Sequence, residues 1–287
     1  MKKITVVNFT SIEDVKHNWN QYKDLLLKEG VFVFRNAHIS LEEQKKLQAF
    51  IGTSLHCWPN EQEPANMEYI ETHAFIKQSV TANKDEVLLN WHIEHAEFDN
   101  PMVLGVWKME IFQAEKGSGN TVFVNTTELY NRLPVKDQDF LKSAIAVFPF
   151  SMIGHNLEWG EEDLVKNDLL TGPFIREHWV TKEPVVRISF WVDQWLSHMI
   201  NRETTEEDKK NFKRLFDYFW EEVKNNKDNW VVQEWQEGDL LIVDLHKMAH
   251  AVLGGFDSKD RKLQGTFSYA FNKGLVPEID LDLRKNK

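Results

Sequence analysis

The sequence predicts an α+β fold with a mostly β core, namely a jelly-roll barrel (a double-stranded β-helix) decorated by helices. Three observations lead to this prediction. Apolar residues recur at helical spacing in the first fifty residues and in one later segment. Strand-like runs gather around the histidine-bearing segments. Strands and helices do not alternate, and no glycine-rich phosphate fingerprint occurs, so a parallel βαβ sheet fits less well.

The N-terminal elements are predicted from capping residues and periodicity. Residues 4–9 form a short β-prone run. A helix is predicted from the Ser11 cap to the terminating Gly30, because apolar residues recur at helical spacing between them. Val31–Phe34 predicts a strand, and Ser40–Ile51 a second capped helix. Between Gly52 and Asn90 the pattern is weak and predicts no clear element.

The later elements are read mainly from alternation between apolar and polar residues. The predicted strands are Val103–Ile111, Thr121–Val124, Val185–Val192, Trp230–Glu234, Leu240–Val243 and Gly265–Phe271. The predicted helices are Thr127–Arg132, Asp137–Ile145 and Thr205–Val223. The last helix carries a continuous apolar stripe, which is more typical of core packing than of a ligand site.

The composition limits the partners and the location of the chain. The net charge of −11, from 34 basic and 45 acidic residues, argues against a nucleic-acid partner, because phosphate binding needs clustered Lys and Arg. No apolar run reaches the roughly 18 residues that span a bilayer, and Met1–Asn8 lacks a signal-peptide pattern, so we expect no membrane partner. Nothing in the sequence indicates an oligomeric state.

We expect one domain over residues 1–287, because the sequence contains no linker-like stretch, low-complexity run or internal repeat. The single cysteine, Cys57, excludes an internal disulfide and predicts a reducing, cytoplasmic location. A lone cysteine is more often a small buried side chain than a nucleophile, and we expect that role here.

Two consecutive His-x-acid triplets, His92–Glu94 and His95–Glu97, are the first candidates for chemistry. About two such triplets are expected by chance at this acidic content, so the triplet alone is weak evidence. On a strand, residues i and i+2 point to one face and can hold one ion together. A third, distant ligand would complete a facial 2-His-1-carboxylate set with open positions, although the ligands alone do not exclude zinc.

Four segments, in order, resemble the taurine dioxygenase and clavaminate synthase branch of the 2-oxoglutarate-dependent oxygenases. Residues 91–94 (Trp-His-Ile-Glu) are similar to the family's Trp-His-x-Asp/Glu element, and Lys116–Asn125 to its Gly-Gly-Asp-Thr segment. Gly238–Asp244 followed by His250 resembles the family's Gly-Asp…Asp-Asn-Arg…His element. Arg261, eleven residues after His250, falls where the family places the arginine that binds 2-oxoglutarate.

The resemblance implies an iron(II) oxygenase that uses 2-oxoglutarate and dioxygen. His92, Glu94 and His250 are then the metal ligands and catalytic residues. Arg261 and Thr121 are the expected 2-oxoglutarate-binding residues, because a buried dicarboxylate end needs a planar, bidentate cation such as arginine, and the threonine hydroxyl adds a second donor.

The chain also departs from the family pattern. The metal-binding acid is Glu94 instead of the commoner aspartate, which resembles the clavaminate synthase and amino-acid hydroxylase side and argues against a halogenase. Asn120 replaces the usual aspartate, and residues 245–246 (Leu-His) replace Asn-Arg. Phe98 comes one position later than the family's aromatic. Gly265 stands where sulfonate-binding relatives carry a second arginine, which argues against taurine as substrate.

Several alternatives remain at this point. The His95–Glu97 triplet is a rival register, disfavoured because Trp91 precedes His92. His246 competes with His250, which is favoured because it follows Asp244 by six residues and precedes a small residue, as in the family. Without the resemblance, Arg261 would be read as an exposed ion pair in a charged loop, and Thr121 as a β-former. Trp107, Arg187, Trp191 and Trp195 are pocket candidates by position, although a structural role is commoner for such residues.

The predicted function is hydroxylation, or desaturation, of a small molecule. An amino acid or amino-acid-derived metabolite in a biosynthetic pathway is the favoured substrate, from Glu94 and the missing second arginine. One alternative is a non-catalytic barrel that binds a metal or a small acid. The other is a zinc-dependent hydrolase on a cupin-like barrel, which metal analysis would distinguish.

Overall fold

The computed structural model describes residues 1–59, 83–96, 99–150, 168–188 and 194–270. In chain order the strands are β1 (Lys2–Lys3), β2 (Thr5–Asn8), β3 (Val31–Arg35), β4 (Trp58–Pro59), β5 (Val87–His92), β6 (Met102–Phe112), β7 (Thr121–Asn125), β8 (Ala144–Phe150), β9 (Asp168–Pro173), β10 (Ile175–Glu177), β11 (Pro184–Val186), β12 (Trp195–Met199), β13 (Val231–Gln233), β14 (Leu240–Asp244), β15 (Met248–Leu253) and β16 (Arg261–Tyr269). The helices are α1 (Ile12–His17), α2 (Trp19–Glu29), α3 (Leu41–Leu55), α4 (Thr126–Asn131), α5 (Val135–Lys142) and α6 (Glu206–Lys224). None of these helices is long and apolar enough to cross a bilayer.

Two large, mostly antiparallel sheets form the core. One has the order β2-β3-β14-β6-β16-β4 and the other β1-β13-β7-β15-β5. The sheets face each other, because one buried cluster contains Trp107 and Val243 of the first sheet together with Phe123 and Met248 of the second. The predicted mixed fold with a strand-rich core is therefore confirmed.

Helices cover the outer faces of both sheets, and the two-residue period of the strands decides which residues they cover. On β14, Leu241 packs between the sheets while Leu240 and Ile242 pack outward with residues of α1, α2 and α3. On the other sheet, Val122 and Val124 pack outward in a cluster with the apolar face of α6. The α6 stripe is thus core packing, as its sequence indicates.

The structure corrects three of the sequence predictions near the N-terminal half. The first predicted helix is two helices, α1 and α2, with Asn18 between them; its side chain donates to the backbone oxygen and to the carboxylate of Asp14. The weakly patterned stretch contains the start of β5, which begins at Val87 and ends at His92. The helix predicted over Asp137–Ile145 ends at Lys142, and a strand begins two residues later.

Two later predictions are also corrected. The strand predicted over Val185–Val192 is limited to Pro184–Val186 within the described residues. The last strand begins at Arg261, not at Gly265. The ends of both predictions, together with Trp191, Glu97 and Phe98, lie outside the residues that the structure describes.

Candidate metal centre

The structure brings His92, Glu94 and His250 together at the β15–β5 edge of the five-stranded sheet. His250 on β15 pairs in register with His92, the last residue of β5. Glu94 lies in the turn that follows β5, not on the strand, so the expected i, i+2 arrangement on one strand face is not how the two residues meet. The imidazole rings of His92 and His250 have centroids 4.1 Å apart, and Glu94 Oε1 lies 3.5 Å from Nε2 of each.

The spacing of these atoms fits a single divalent ion. An ion about 2.1 Å from each ligand places ligand atoms about 3.0 Å apart when they are at right angles and about 4.2 Å apart when they are opposite. The two carboxylate–imidazole distances of 3.5 Å fall between these limits, and one potential ligand atom from each residue lies within 4.8 Å of the others. Two imidazoles and one carboxylate are the donor set of a facial iron(II) site.

The protonation states also suit a metal. Burial by itself would raise the pKa of Glu94, but hydrogen bonding and charge from His250 and His92 outweigh it and hold the pKa well below its usual value. Burial, reinforced by the neighbouring His92, lowers the pKa of His250. Metal binding needs an ionised carboxylate and a neutral imidazole, and these shifts favour both.

Two aromatic rings hold His250 in place. His250 lies on the inner face of β15, where the ring centroid of Trp107 is 5.1 Å away and that of Phe123 is 6.0 Å away. Its Nδ1 lies 3.4 Å from the backbone oxygen of Met248. With Nδ1 directed to this oxygen, Nε2 is the atom that faces Glu94.

Arg261 and Thr121 meet on the same inner face. Arg261 donates from Nε to the backbone oxygen of Gly119 at 3.1 Å and from Nη2 to Thr121 Oγ1 at 3.3 Å. Trp235 Nε1 donates to the same hydroxyl oxygen at 2.9 Å. Because Thr121 Oγ1 accepts two hydrogen bonds, its own proton remains available for a third group. Gly119 adopts φ +61°, and a Cβ there would lie 3.2 Å from Arg261 Cδ, so glycine allows this close approach.

Arg261 is a buried cation whose described hydrogen bonds all go to neutral oxygens. It is 1% exposed, and burial lowers its pKa to about 10, which leaves it charged at neutral pH. No described group accepts a hydrogen bond from its Nη1. A buried guanidinium without an anionic partner is costly, so this position fits an anionic ligand such as a carboxylate.

The rival candidates do not join the cluster. His95 has φ +53° in the turn after Glu94, and its ring lies 6.2 Å from that of Tyr269. His246 is buried near His178 and Trp179, with ring centroids 5.6 Å and 5.7 Å away. Among the described residues, the group of acids and imidazoles that could hold a metal is His92, Glu94 and His250.

Sequence reasoning missed a buried network that supports the turn between β14 and β15. His178 Nδ1 accepts from the backbone N–H groups of Val180 and Thr181, which places its proton on Nε2, and Nε2 donates to Asp244 Oδ2 at 2.8 Å. The other carboxylate oxygen accepts from the backbone N–H of His246 at 3.1 Å. No local pattern connects residue 178 to residue 244, although Asp244 itself stands in a family element.

Replacing Asp244 with leucine is expected to lower the free energy of unfolding by about 3 kcal/mol, because it leaves the buried imidazole N–H of His178 without its acceptor and removes the carboxylate 3.7 Å from the buried Lys247 ammonium. Urea denaturation measures the change. Asp139→Leu, at a carboxylate that is 64% exposed, is the matched control and is expected to change stability little. Equal effects of the two substitutions would contradict the supporting role.

Both the sequence and the fold of the chain are similar to those of known proteins. A family model described as taurine catabolism dioxygenase TauD, TfdA family, matches residues 2–267. No curated protein matches the chain in a sequence comparison. The fold is similar to that of AAD-2 in complex with Mn(II) and N-oxalylglycine (TM-score 0.64, 14% identity, 95% of this chain and 96% of that chain). It is also similar to that of a taurine dioxygenase from Burkholderia xenovorans (TM-score 0.62, 17% identity, 94% of this chain and 87% of that chain).

Proposed function

The chain belongs to the TauD/TfdA family and is therefore an iron(II)- and 2-oxoglutarate-dependent dioxygenase, and from this premise we propose that it hydroxylates or desaturates a small molecule at the centre formed by His92, Glu94 and His250. The observation that carries the proposal is the buried Arg261, which lies beside this potential metal site. Among the described residues, the groups that accept its hydrogen bonds are all neutral oxygens.

The distance between the metal ligands and the Arg261–Thr121 pair suits one small diacid. His250 pairs with Phe123 across β15 and β7, and Thr121 lies two residues farther along β7, with its side chain on the same face. Two residues of a strand span roughly 6.6 Å, a length that a five-carbon diacid can bridge. We assign Arg261 and Thr121 to the far carboxylate of 2-oxoglutarate, and the keto-acid end to the metal held by the two histidines and Glu94.

When bound, iron(II) with 2-oxoglutarate and dioxygen supplies an oxidant able to remove hydrogen from an unactivated C–H bond, with release of succinate and carbon dioxide. The protein's part is to position the groups. Glu94 contributes negative charge, and His250 contributes a neutral imidazole fixed by Trp107 and Phe123. These buried rings also exclude water from one side of the centre.

The proposed substrate is an amino acid or an amino-acid-derived metabolite, acted on in a biosynthetic pathway. The glutamate at position 94 supports this proposal, because it resembles the amino-acid hydroxylase side of the family. Gly265 also supports it: this residue pairs with Trp107 across β16 and β6 and offers no cation for a sulfonate. Neither of the two solved relatives indicates the substrate of this chain, because the similarity to each is one of fold.

The test is an anaerobic titration with iron(II) and 2-oxoglutarate, followed by the weak visible charge-transfer band of their chelate. We expect the band to form and succinate to appear when oxygen is admitted. A band without succinate, whatever small molecule is added, would favour the non-catalytic binding barrel. Zinc as the bound metal, with no effect of 2-oxoglutarate, would favour the hydrolase.

Substituting Thr121 with valine is expected to raise the dissociation constant of 2-oxoglutarate about tenfold, since one hydrogen bond to a charged group contributes roughly 1.5 kcal/mol or more. Titration of the charge-transfer band measures the constant. Thr121→Ser retains the hydroxyl and is expected to bind nearly as well as the wild type. Equal weakening by both substitutions would show that packing, not the hydroxyl, matters at this position.

We further propose that the two facing sheets close into the jelly-roll barrel, that residues 1–287 form one domain, and that the protein works in a reducing cytoplasm. Cys57 supports the last point. It is buried, and burial raises the pKa of its thiol to about 12, as expected for a structural side chain that stays reduced and unreactive.

A further inference from the structure

The indole N–H of Trp107 is a buried hydrogen-bond donor beside the metal centre. Trp107 is 1% exposed, packs between the two sheets, and has its ring centroid 5.1 Å from that of His250. No group in the described part of the chain accepts a hydrogen bond from its Nε1. An indole nitrogen donates only, and buried donors nearly always have a partner, so the group that is missing here is an acceptor.

Other buried tryptophans show that the packing of this fold usually provides such an acceptor. Three of them donate from Nε1 to an oxygen of the protein: Trp19 to Ser54 Oγ at 2.7 Å, Trp230 to the backbone oxygen of Val223 at 2.9 Å, and Trp235 to Thr121 Oγ1 at 2.9 Å. Trp107 differs from these three, and it is the one whose ring contacts a proposed metal ligand. Its unsatisfied donor therefore belongs to the part of the barrel where a ligand is expected.

The indole nitrogen lies toward the metal end of the sheets. A Cβ added to Gly105 would lie 2.7 Å from this nitrogen, so the nitrogen sits over Gly105. Gly105 pairs with Phe267, and two residues farther along β16 the ring of Tyr269 lies 6.2 Å from that of His95, in the turn that carries a proposed metal ligand. Arg261 begins β16 and lies at its opposite end. The N–H group is thus placed near the metal ligands and away from the arginine.

The six-stranded sheet itself offers this N–H no acceptor side chain. The Cβ added to Gly105 would also lie 2.9 Å from Val243 Cγ1 and 3.1 Å from Leu245 Cδ1, so the neighbours on this side are apolar. Gly265, which pairs with Trp107 across β16 and β6, has no side chain. The acceptor is therefore expected from the facing side, where His250 lies.

We propose that the indole N–H of Trp107 donates a hydrogen bond to a carboxylate oxygen at the keto-acid end of 2-oxoglutarate. A carboxylate that gives one oxygen to a metal keeps a second oxygen, which needs a donor when it is buried. The two ends of the cosubstrate are then held by different groups, the far carboxylate by Arg261 and Thr121 and the near carboxylate by Trp107. The inference rests on the proposed function, because it adds a binding residue to that same centre.

The test replaces Trp107 with benzothienylalanine, in which sulfur takes the place of the N–H group and the two-ring shape is kept. In anaerobic protein with iron(II), we expect the dissociation constant of 2-oxoglutarate to rise about tenfold, because one hydrogen bond to a charged group is lost. The charge-transfer band should also move to shorter wavelength, because the donor stabilises the ligand group that receives the electron. Iron content after gel filtration and the thermal stability of the ligand-free protein should not fall, because the N–H has no bond there to lose.

Two controls separate this role from a structural one. The same replacement at Trp230 removes a hydrogen bond of the free protein, so it is expected to lower thermal stability and to leave both the affinity and the band unchanged. Thr121→Val acts at the far carboxylate and is expected to weaken binding without moving the band.

The inference is overturned if the replacement at Trp107 leaves the affinity for 2-oxoglutarate unchanged, or if it weakens binding without moving the band. Lower stability or loss of iron in this variant would also overturn it, because the N–H would then have a structural partner. Absence of the band in the wild type would instead overturn the proposed function, and this inference with it.

Discussion

Replacing His250 with alanine is expected to remove iron(II) binding and to lower turnover more than about 100-fold. Changing a residue that only hydrogen-bonds to a metal ligand typically costs up to about 100-fold, and loss of the ligand itself should cost more. The reason is geometric. Two ligands remain after the substitution, and the vacated space lies between the buried rings of Trp107 and Phe123, where no other donor among the described residues can reach the ion. Iron content after gel filtration and loss of the chelate band measure the effect.

The control for this experiment tests the alternative in which the second triplet, His95–Glu97, binds the metal. His95→Asn removes the imidazole of the second triplet, and asparagine tolerates the positive φ of 53° at this position. We expect this variant to keep its iron and its turnover. Loss of iron in the His95 variant, with iron retained after substitution of His250, would show that the wrong histidines have been assigned to the metal.

The second large effect is expected at Arg261. Arg261→Met keeps most of the side-chain volume but removes the charge, and it should raise the dissociation constant of 2-oxoglutarate about 100-fold or more, because loss of one partner of a buried ion pair costs roughly 3–5 kcal/mol. The same substitution should raise the melting temperature of the ligand-free protein, since the buried guanidinium then has only neutral partners among the described residues.

These opposite changes make the test specific. A purely structural arginine would give a less stable protein, whereas a ligand-binding arginine gives a more stable protein that has lost its ligand. Arg132→Met, at a half-exposed ion pair with Glu128, is the control and should change neither quantity appreciably. Unchanged affinity for 2-oxoglutarate in Arg261→Met would refute the cosubstrate assignment.

The fold was predictable where local patterns are strong. The capped helix after Thr205 and the alternating strand around Trp107 appear nearly where the sequence places them. Short strands such as β8 and β9 were missed. Their seven and six residues pair mainly with each other and with β12, and that pairing partner is not visible in the local pattern.

The candidate site was predictable as a set of residues but not as a geometry. Motif order selected His92, Glu94, His250, Thr121 and Arg261. The sequence pattern placed Glu94 on a strand, whereas it lies in a turn whose next residue adopts a left-handed conformation. A positive φ is uncommon for residues other than glycine, so the local pattern does not predict this turn.

The sequence by itself determined the chemistry: which side chains are available, in what order, and therefore which family and which cofactors the chain uses. Only the tertiary structure decided their environment. Arg261, which stands in a charged stretch that looks exposed, is buried against Gly119 and Thr121, 142 and 140 residues away in the chain. Burial and charge pairing depend on which distant segments meet, and those contacts are a property of the packed sheets, not of any local run of residues.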